Sequence, residues 1–382
     1  MAKKKARNQP VGATEADVGP SPSHSLSGKK RLSWCSGLIV FVFLVFVLKV
    51  ARSAVWVSPM ANKKSEKTSD VDELATIRQP PHPIRQGHSE SLDSIRANHQ
   101  LLDRYNGDLL PFEVLETFPH NKSLFTQGLL FADGYLYEGT GLNGRTEVLQ
   151  IEPATGKAVR RSIILDKEHF GEGLALVPAP ATTSGDSSAK DALLVQITYK
   201  HRKGFIYRAH DLTGPIREFE YDTVTGQGWG LAFDHSRREL VVSDGSEYLF
   251  IWDADSLVEK RHLRVTLPVL PQGEELGIAV EENSAPKGTV YLKYINELEV
   301  LPGGRFVLAN VWYDDRVVLI DLFSGLVVAA YDFRKLRPRR KRGEDCFNGI
   351  ALDENTGDLY VTGKKWSNLY RVRLPGLRAY FS

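Results

Sequence analysis

Gly171-Glu172-Gly173 sets a carboxylate between two residues that have no side chain. Such a group can tie loops together by hydrogen bonds, or it can move a proton, with its pKa raised where the site is enclosed. Four other short stretches place a polar or indole side chain in a matching context. They are Thr126-Gln127-Gly128-Leu129, Gly228-Trp229-Gly230-Leu231, Ile295-Asn296-Glu297-Leu298 and Phe347-Asn348-Gly349-Ile350. The amides of Gln127, Asn296 and Asn348 suit local turn chemistry or the binding of a polar substrate. Trp229 and Trp312 suit core packing, or the lining of a cavity from which water must be excluded. Lys364, in Thr362-Gly363-Lys364-Lys365-Trp366, is either a solvated strand-end cation or a group that steadies a developing oxyanion.

The spacing of these residues names the elements that must position them. Successive steps from Gln127 to Glu172, Trp229, Asn296 and Asn348 are 45, 57, 67 and 52 residues. An imperfect repeat of roughly 45 residues is the length of one β-propeller blade. Each unit continues through strand-like runs such as Leu240-Val241-Val242 and Val317-Val318-Leu319-Ile320-Asp321, often with a Thr-Gly or Ser-Gly turn after them. The expected fold is therefore all-β, a five-bladed β-propeller over residues 112–374, with a short tail at 375–382. The innermost strand of a blade faces the central channel, so Gln127, Glu172, Trp229, Asn296 and Asn348 are expected to converge on one axial cavity. The last repeat has only three strands of its own. Glu113-Val114-Leu115-Glu116-Thr117, ahead of the first repeat, is expected to complete it and close the ring.

The first hundred residues are of a different kind. Residues 1–31 hold seven basic and two acidic residues and read as a disordered basic tail, which leaves 42 basic and 45 acidic residues for the remainder. That remainder has no excess of positive charge for a nucleic acid to recognise. Residues 32–48 carry no charge, and seventeen helical residues span about 26 Å. With Lys29, Lys30 and Arg31 ahead of it, this run is expected to be a transmembrane signal anchor with a cytosolic N-terminus. A cleaved signal peptide is the competing reading. Residues 49–111 then form a luminal stem, with an amphipathic helix expected within Ser91–Tyr105 through Leu92, Ile95, Leu101 and Leu102. The expected location is the endoplasmic reticulum or Golgi membrane. Asn121-Lys122-Ser123 is a glycosylation sequon that a luminal body could use. Cys346 is the only thiol outside the apolar run, where Cys35 lies, so the body forms no internal disulfide. It is expected to be buried and inert. The basic run Arg337–Arg342 reads as a solvated loop, with proteolytic processing or an anionic membrane as sharper alternatives.

No Cys/His metal spacing, P-loop, dinucleotide fingerprint or Gly-x-Ser-x-Gly elbow is present. Between Phe112 and Leu374 the chain resembles the plant-type glutaminyl cyclases. The resemblance is carried by Phe125-Thr126-Gln127-Gly128-Leu129, Leu136-Tyr137-Glu138, Phe170-Gly171-Glu172-Gly173, Gly228-Trp229-Gly230-Leu231, Ser243-Asp244-Gly245, Asn296-Glu297-Leu298-Glu299, Ala309-Asn310-Val311-Trp312, Asn348-Gly349-Ile350-Ala351 and Thr362-Gly363-Lys364-x-Trp366. Nine short motifs in order make it specific. It implies a cofactor-free, metal-independent acyltransferase on a five-bladed propeller. Peptides with an N-terminal Gln would be its substrates, and a monomer its state. It implies that Glu172 is the acid/base, supported by Gln127, Asn296, Trp229, Trp312 and Lys364. Joined to the reading of the repeats, this makes Glu172, Asn296 and Lys364 the expected catalytic residues, and Gln127, Trp229, Trp312 and Asn348 the expected substrate-binding ones. Tyr199 departs from the pattern, standing where Trp is expected, and Ile295 and Phe347 replace Leu. These departures bear on pocket shape. A metal-dependent propeller hydrolase of the lactonase kind and a non-catalytic luminal binding propeller are the alternatives, since Glu172, Asn296 and Asn348 are also metal-ligand types.

Overall fold

A computed structural model describes residues 77–78, 90–179, 192–270, 284–336 and 341–382. The expected anchor at 32–48, the basic tail and residues 337–340 of the basic run lie outside the described residues. Among those described, no helix is long and apolar enough to cross a membrane.

Alternation of apolar and polar residues, broken by turn residues, produces strands that pair antiparallel with their sequence neighbours. Five sheets of this kind form the blades. The inner strands are Thr126–Ala132, Gly171–Val177, Leu231–Asp234, Ile295–Val300 and Phe347–Asp353. The fifth blade ends on Asn368–Arg373, which pairs antiparallel with Glu113–Pro119 from the start of the propeller. The ring is thus closed by a strand from each end, as the incomplete last repeat requires. Two more N-terminal pieces cover sheet edges. Ile77–Arg78 pairs parallel with Phe219–Glu220 of the second blade, and Leu109–Leu110 with Ala330–Tyr331 of the fourth. Covered edges cannot recruit a second chain.

Between these pieces lies helix α1 (Leu92–Asp103). Ser91 caps it, accepting from the Ser94 amide at 3.1 Å. Ile95 and Leu102 of α1 are buried in the same core cluster as Trp229, Tyr294 and the inner strand of the fourth blade, whereas Leu92 stays exposed. Asp103 and Asp314 both hold the buried Arg316 guanidinium, at 2.7 and 2.6 Å. The long excursion before the fourth blade contributes a two-stranded ribbon, Thr266–Pro268 with Thr289–Tyr291.

The inner strands touch. A Cβ on Gly128 would collide with the Leu174 amide, one on Gly173 with the Leu231 amide, and one on Gly230 with the Asn296 carbonyl. Glycine in three repeats therefore lets neighbouring blades meet backbone to backbone. The fourth repeat carries Glu297 instead. Its carboxylate accepts from the Leu129 amide at 3.2 Å and the Ile350 amide at 2.8 Å, joining the first and fifth blades to the fourth. Burial, then the charge of Glu299, holds this carboxyl well above its usual range, against the pull of the two amides. Replacing one carboxylate oxygen by an amide nitrogen would set donor against donor. E297Q should therefore lose about 1–3 kcal/mol, the cost of one unsatisfied buried donor, although it removes a charge from the core. Urea unfolding of the two proteins measures this directly.

Candidate functional site

Each inner strand is irregular where it enters the channel. The pairing register shifts between Thr126 and Gly128, Gly171 and Leu174, Ile295 and Leu298, and Phe347 and Ile350. A bulge re-aims the side chains at the break, and these breaks contain Gln127, Glu172, Asn296 and Asn348. In the third blade the break falls before Leu231. There the Trp229 carbonyl accepts from the Gly173 amide at 2.7 Å, and the Gly230 amide donates to Ser243 Oγ at 2.8 Å. Ser243 in turn donates to the Asn296 carbonyl at 2.7 Å, which ties the third blade to the fourth.

Gln127, Glu172, Trp229, Asn296, Trp312 and Lys364 meet at this end of the channel around a cavity of about 150 Å³. Its wall is aromatic. Trp229 and Trp312 pack edge to face at 5.2 Å between centroids, and Tyr313 lies against Trp312 at 4.8 Å. On the other side Phe125 meets Phe170 at 6.0 Å, and Phe170 meets Tyr199 at 5.8 Å. Asp345 completes the rim. The Lys364 ammonium sits 5.1 Å from the centre of the Phe125 ring. Two non-glycine residues here, Tyr294 and Tyr313, hold positive φ of 62° and 60°, a strained conformation that packing around the site must sustain.

Glu172 is 5% exposed. Its carboxyl is held well above the usual range by burial; Lys364 lowers it and the charge of Glu90 raises it. The Asn296 side-chain oxygen is buried and has no protein partner, so it is an acceptor site on the wall of the cavity. Gly141 and Gly245 allow the close packing of Phe170 and Trp229, since a Cβ on either would strike the ring. Gly363 does the same for Trp366. Trp366 itself is a packing residue, buried beneath the fifth blade with its Nε1 donating to the Asp345 carbonyl at 3.0 Å.

Asn348 does not join the cavity. Its amide donates to the Thr126 carbonyl at 3.1 Å and the Gln127 carbonyl at 3.3 Å, and the side chain is wholly buried. The bulge of the fifth blade turns this amide sideways onto the first blade, so the expected convergence of five residues becomes one of four. A larger cavity of about 440 Å³ opens at the other ends of the inner strands, where Leu130, Ala175, Leu298 and Leu352 face it beside Asp133, Glu299 and Asp353. Among the described residues its lining includes Phe131, Phe233 and His235, but no Lys or Arg to set against its carboxylates and no Trp. The smaller cavity is the better candidate because acid, amides, ammonium and indoles converge there.

The sequence profile of the family described as glutamine cyclotransferase matches residues 91–374. The chain belongs to the glutamine cyclotransferase family. It is 32% identical over 268 residues to the glutaminyl-peptide cyclotransferase of Arabidopsis thaliana, covering 69% of this chain and 71% of that protein. The crystal structure of Myxococcus xanthus glutaminyl cyclase superimposes with a TM-score of 0.53 at 26% identity, covering 70% of this chain and 98% of that one. The glutamine cyclotransferase match spans all five blades, so the site described here lies inside it.

One motif of this glutamine cyclotransferase had no evident task in the sequence. Glu138 of Leu136-Tyr137-Glu138 accepts from Thr126 Oγ1 at 2.7 Å and faces His120 Nε2 at 3.1 Å, while His120 Nδ1 lies 2.8 Å from the Trp366 carbonyl. A carbonyl only accepts, so Nδ1 carries a proton; a carboxylate opposite Nε2 calls for a second. Burial pushes the imidazole down, yet the charge and hydrogen bond of Glu138 and the Trp366 carbonyl bring it net above its ordinary value. The pair fixes Thr126 beside Gln127. Cys346, by contrast, is a buried free thiol whose pKa burial raises. A raised imidazole pKa means the folded protein holds a proton that the unfolded chain releases. The stabilisation from His120 is therefore complete below about pH 6.5, the unfolded value, and is lost as pH rises through the folded one. The difference in unfolding free energy between wild type and H120N should shrink over that interval. A constant difference across it would show that His120 is neutral in the fold.

Proposed function

We propose that this chain closes the N-terminal Gln of peptides into pyroglutamate with release of ammonia. It is an enzyme of the glutamine cyclotransferase family, and the observation that carries the mechanism is the enclosed Glu172 beside Lys364 and Asn296. The α-amine attacks the γ-carboxamide carbon of its own residue, forming the ring C–N bond; the C–NH₂ bond then breaks. Both reacting groups belong to one residue, so folding the side chain into a near-attack shape supplies much of the rate. The aromatic arcs can grip the aliphatic part of the folded side chain. Gln127 orients the amine. Glu172 takes the amine proton as the bond forms and returns it to the departing nitrogen. A carboxyl raised by burial suits both steps, since its two protonation states lie closer in free energy. Lys364 and the amide nitrogen of Asn296 hold the carboxamide oxygen as it gains charge, while the Asn296 oxygen accepts from the carboxamide N–H.

The amine must be neutral to attack, and a free α-amino group has a pKa near 8, so turnover should rise from neutral to mildly alkaline pH. E172Q keeps shape but cannot shuttle a proton, and its kcat should fall about 10²–10⁴-fold at unchanged melting temperature. Folded E172Q turning over at the wild-type rate would mean that Glu172 is structural. Among the described residues no group of three His, Cys, Asp or Glu side chains is disposed to hold a metal. Turnover of a Gln-peptide should therefore persist in chelator; its loss, with recovery on adding a divalent ion, would favour the metal-dependent hydrolase.

The same reading extends to placement. The basic cluster Lys29–Arg31 before the apolar run 32–48 favours a type II anchor of the endoplasmic reticulum or Golgi, with the propeller luminal as a monomer. Asn121 supports it: the residue is exposed, and its side-chain oxygen accepts from the Ser123 amide and hydroxyl at 3.0 and 2.9 Å. In intact microsomes the propeller should resist added protease and carry a glycosidase-sensitive mass that N121Q abolishes. Digestion of the propeller in sealed vesicles would reverse the orientation.

A further inference from the structure

Glu90 stands one residue ahead of the family match and 109 positions before the pocket residue it touches. Its carboxylate accepts from the Tyr199 hydroxyl, 2.7 Å from each oxygen. It also accepts from Gln227 Nε2 at 3.1 Å, and Gln227 Oε1 in turn accepts from the Trp229 indole N–H at 2.9 Å. One carboxylate therefore grips two separate pieces of the aromatic wall, Tyr199 directly and Trp229 through an amide. Tyr199 is also the residue that departs from the resemblance, standing where Trp is expected. The departure and the partner for its hydroxyl belong together: an unusual phenol in the wall is matched by an acid supplied from the segment ahead of the propeller.

The position of Glu90 is itself fixed. It directly precedes Ser91, the cap of α1. Along the helix Asn98 donates to the Lys293 carbonyl and accepts from the Lys293 amide, both at 3.0 Å, and His99 Nε2 donates to the Trp312 carbonyl at 3.1 Å. These bonds hold the backbone at Lys293, next to Tyr294, and at Trp312 itself. Cap, helix and carboxylate form one brace along the outside of the pocket.

We infer that Glu90 is a positioning residue of the active site: through Tyr199 and Gln227 it sets the aromatic wall that receives the substrate side chain. The inference rests on the cyclase reading above. It predicts a loss in binding more than in chemistry: the acid, the amides and Lys364 keep their own contacts, and the charge of Glu90 is the smallest of the three influences on the Glu172 carboxyl, after burial and Lys364. Breaking hydrogen bonds to a charged group at this wall should raise KM about tenfold in E90A, with kcat changed less. E90Q keeps an oxygen for the Tyr199 hydroxyl and should recover most of that loss. Y199F removes the same contact from the other side, so the kcat/KM losses of E90A and Y199F should not multiply in the double variant.

The experiment is steady-state kinetics of the full-length wild type, E90A, E90Q, Y199F and E90A/Y199F on a Gln-peptide, with melting temperatures alongside. A raised KM in E90A, recovery in E90Q and sub-multiplicative losses are the expected results. Unchanged KM in folded E90A would overturn the inference, even with a lowered melting temperature, which would make the brace purely structural. E90Q as impaired as E90A would overturn it too, since charge and not the hydrogen bond would then matter. So would losses that multiply. A wild type that does not cyclise Gln would instead bring down the cyclase reading, and this inference with it.

Discussion

The contact on which everything else depends is the near-touching of the inner strands at the channel axis. Gly128, Gly173 and Gly230 have no Cβ because the next blade's backbone occupies that space. Strands packed so closely cannot keep an even ladder into the channel mouth, and the register shifts at Thr126, Gly171, Ile295 and Phe347 take up the mismatch. The bulges are what turn Gln127, Glu172 and Asn296 toward one point. Closure of the ring and construction of the site are thus one geometric event. Side chains borne on such strands are held more firmly than side chains on loops.

Three carboxylates buried near this axis show how environment divides one side chain among different tasks. Glu297 is spent on two backbone amides and acts as a clamp between blades. Glu138 is spent on Thr126 and His120 and fixes the start of the first inner strand. Glu172 faces the cavity, with the Lys364 ammonium among its neighbours and aromatic rings around it. A carboxyl satisfied by two structural donors would be a poor proton carrier, since moving its charge would break the fold's own bonds. Of the three, Glu172 opens onto the cavity, which is what the proposed proton exchange with a substrate requires.

The repeat was legible because it is a backbone requirement. A polar or indole residue beside glycine, or beside Glu297 in the fourth repeat, recurring at blade length, announces both the close approach and the channel-facing slot. Glu172, Gln127, Trp229 and Asn296 could be read from that pattern, and Lys364 and Trp312 from motifs in the resemblance. Asn348 occupies the same slot but turns its amide onto the Thr126 and Gln127 carbonyls, and nothing in its local sequence distinguishes a sideways amide from an axial one. Phe125 and Phe170 lie within motifs of the resemblance and Tyr199 departs from it, yet wall residues have no spacing signal of their own. Glu90 was beyond reach altogether. Its partnership with Tyr199 crosses 109 positions and depends on how α1 docks, which is tertiary packing and leaves no local trace.

The size of the cavity bears on what the enzyme must recognise. At about 150 Å³ it is well below the ~300–1,000 Å³ of pockets that enclose drug-sized ligands. A space that small suits one terminal side chain, folded on itself, and leaves the rest of a peptide outside. On the proposed reading, selectivity comes from the first residue: a γ-carboxamide to meet Asn296 and Lys364, an aliphatic stem for the indoles, and a free amine within reach of Gln127 and Glu172. The reaction needs little more, because nucleophile and electrophile arrive already joined. What the propeller adds is a rigid, largely aromatic enclosure around Glu172, and that follows from inner strands whose breaks turn Gln127, Glu172 and Asn296 toward one end of the channel.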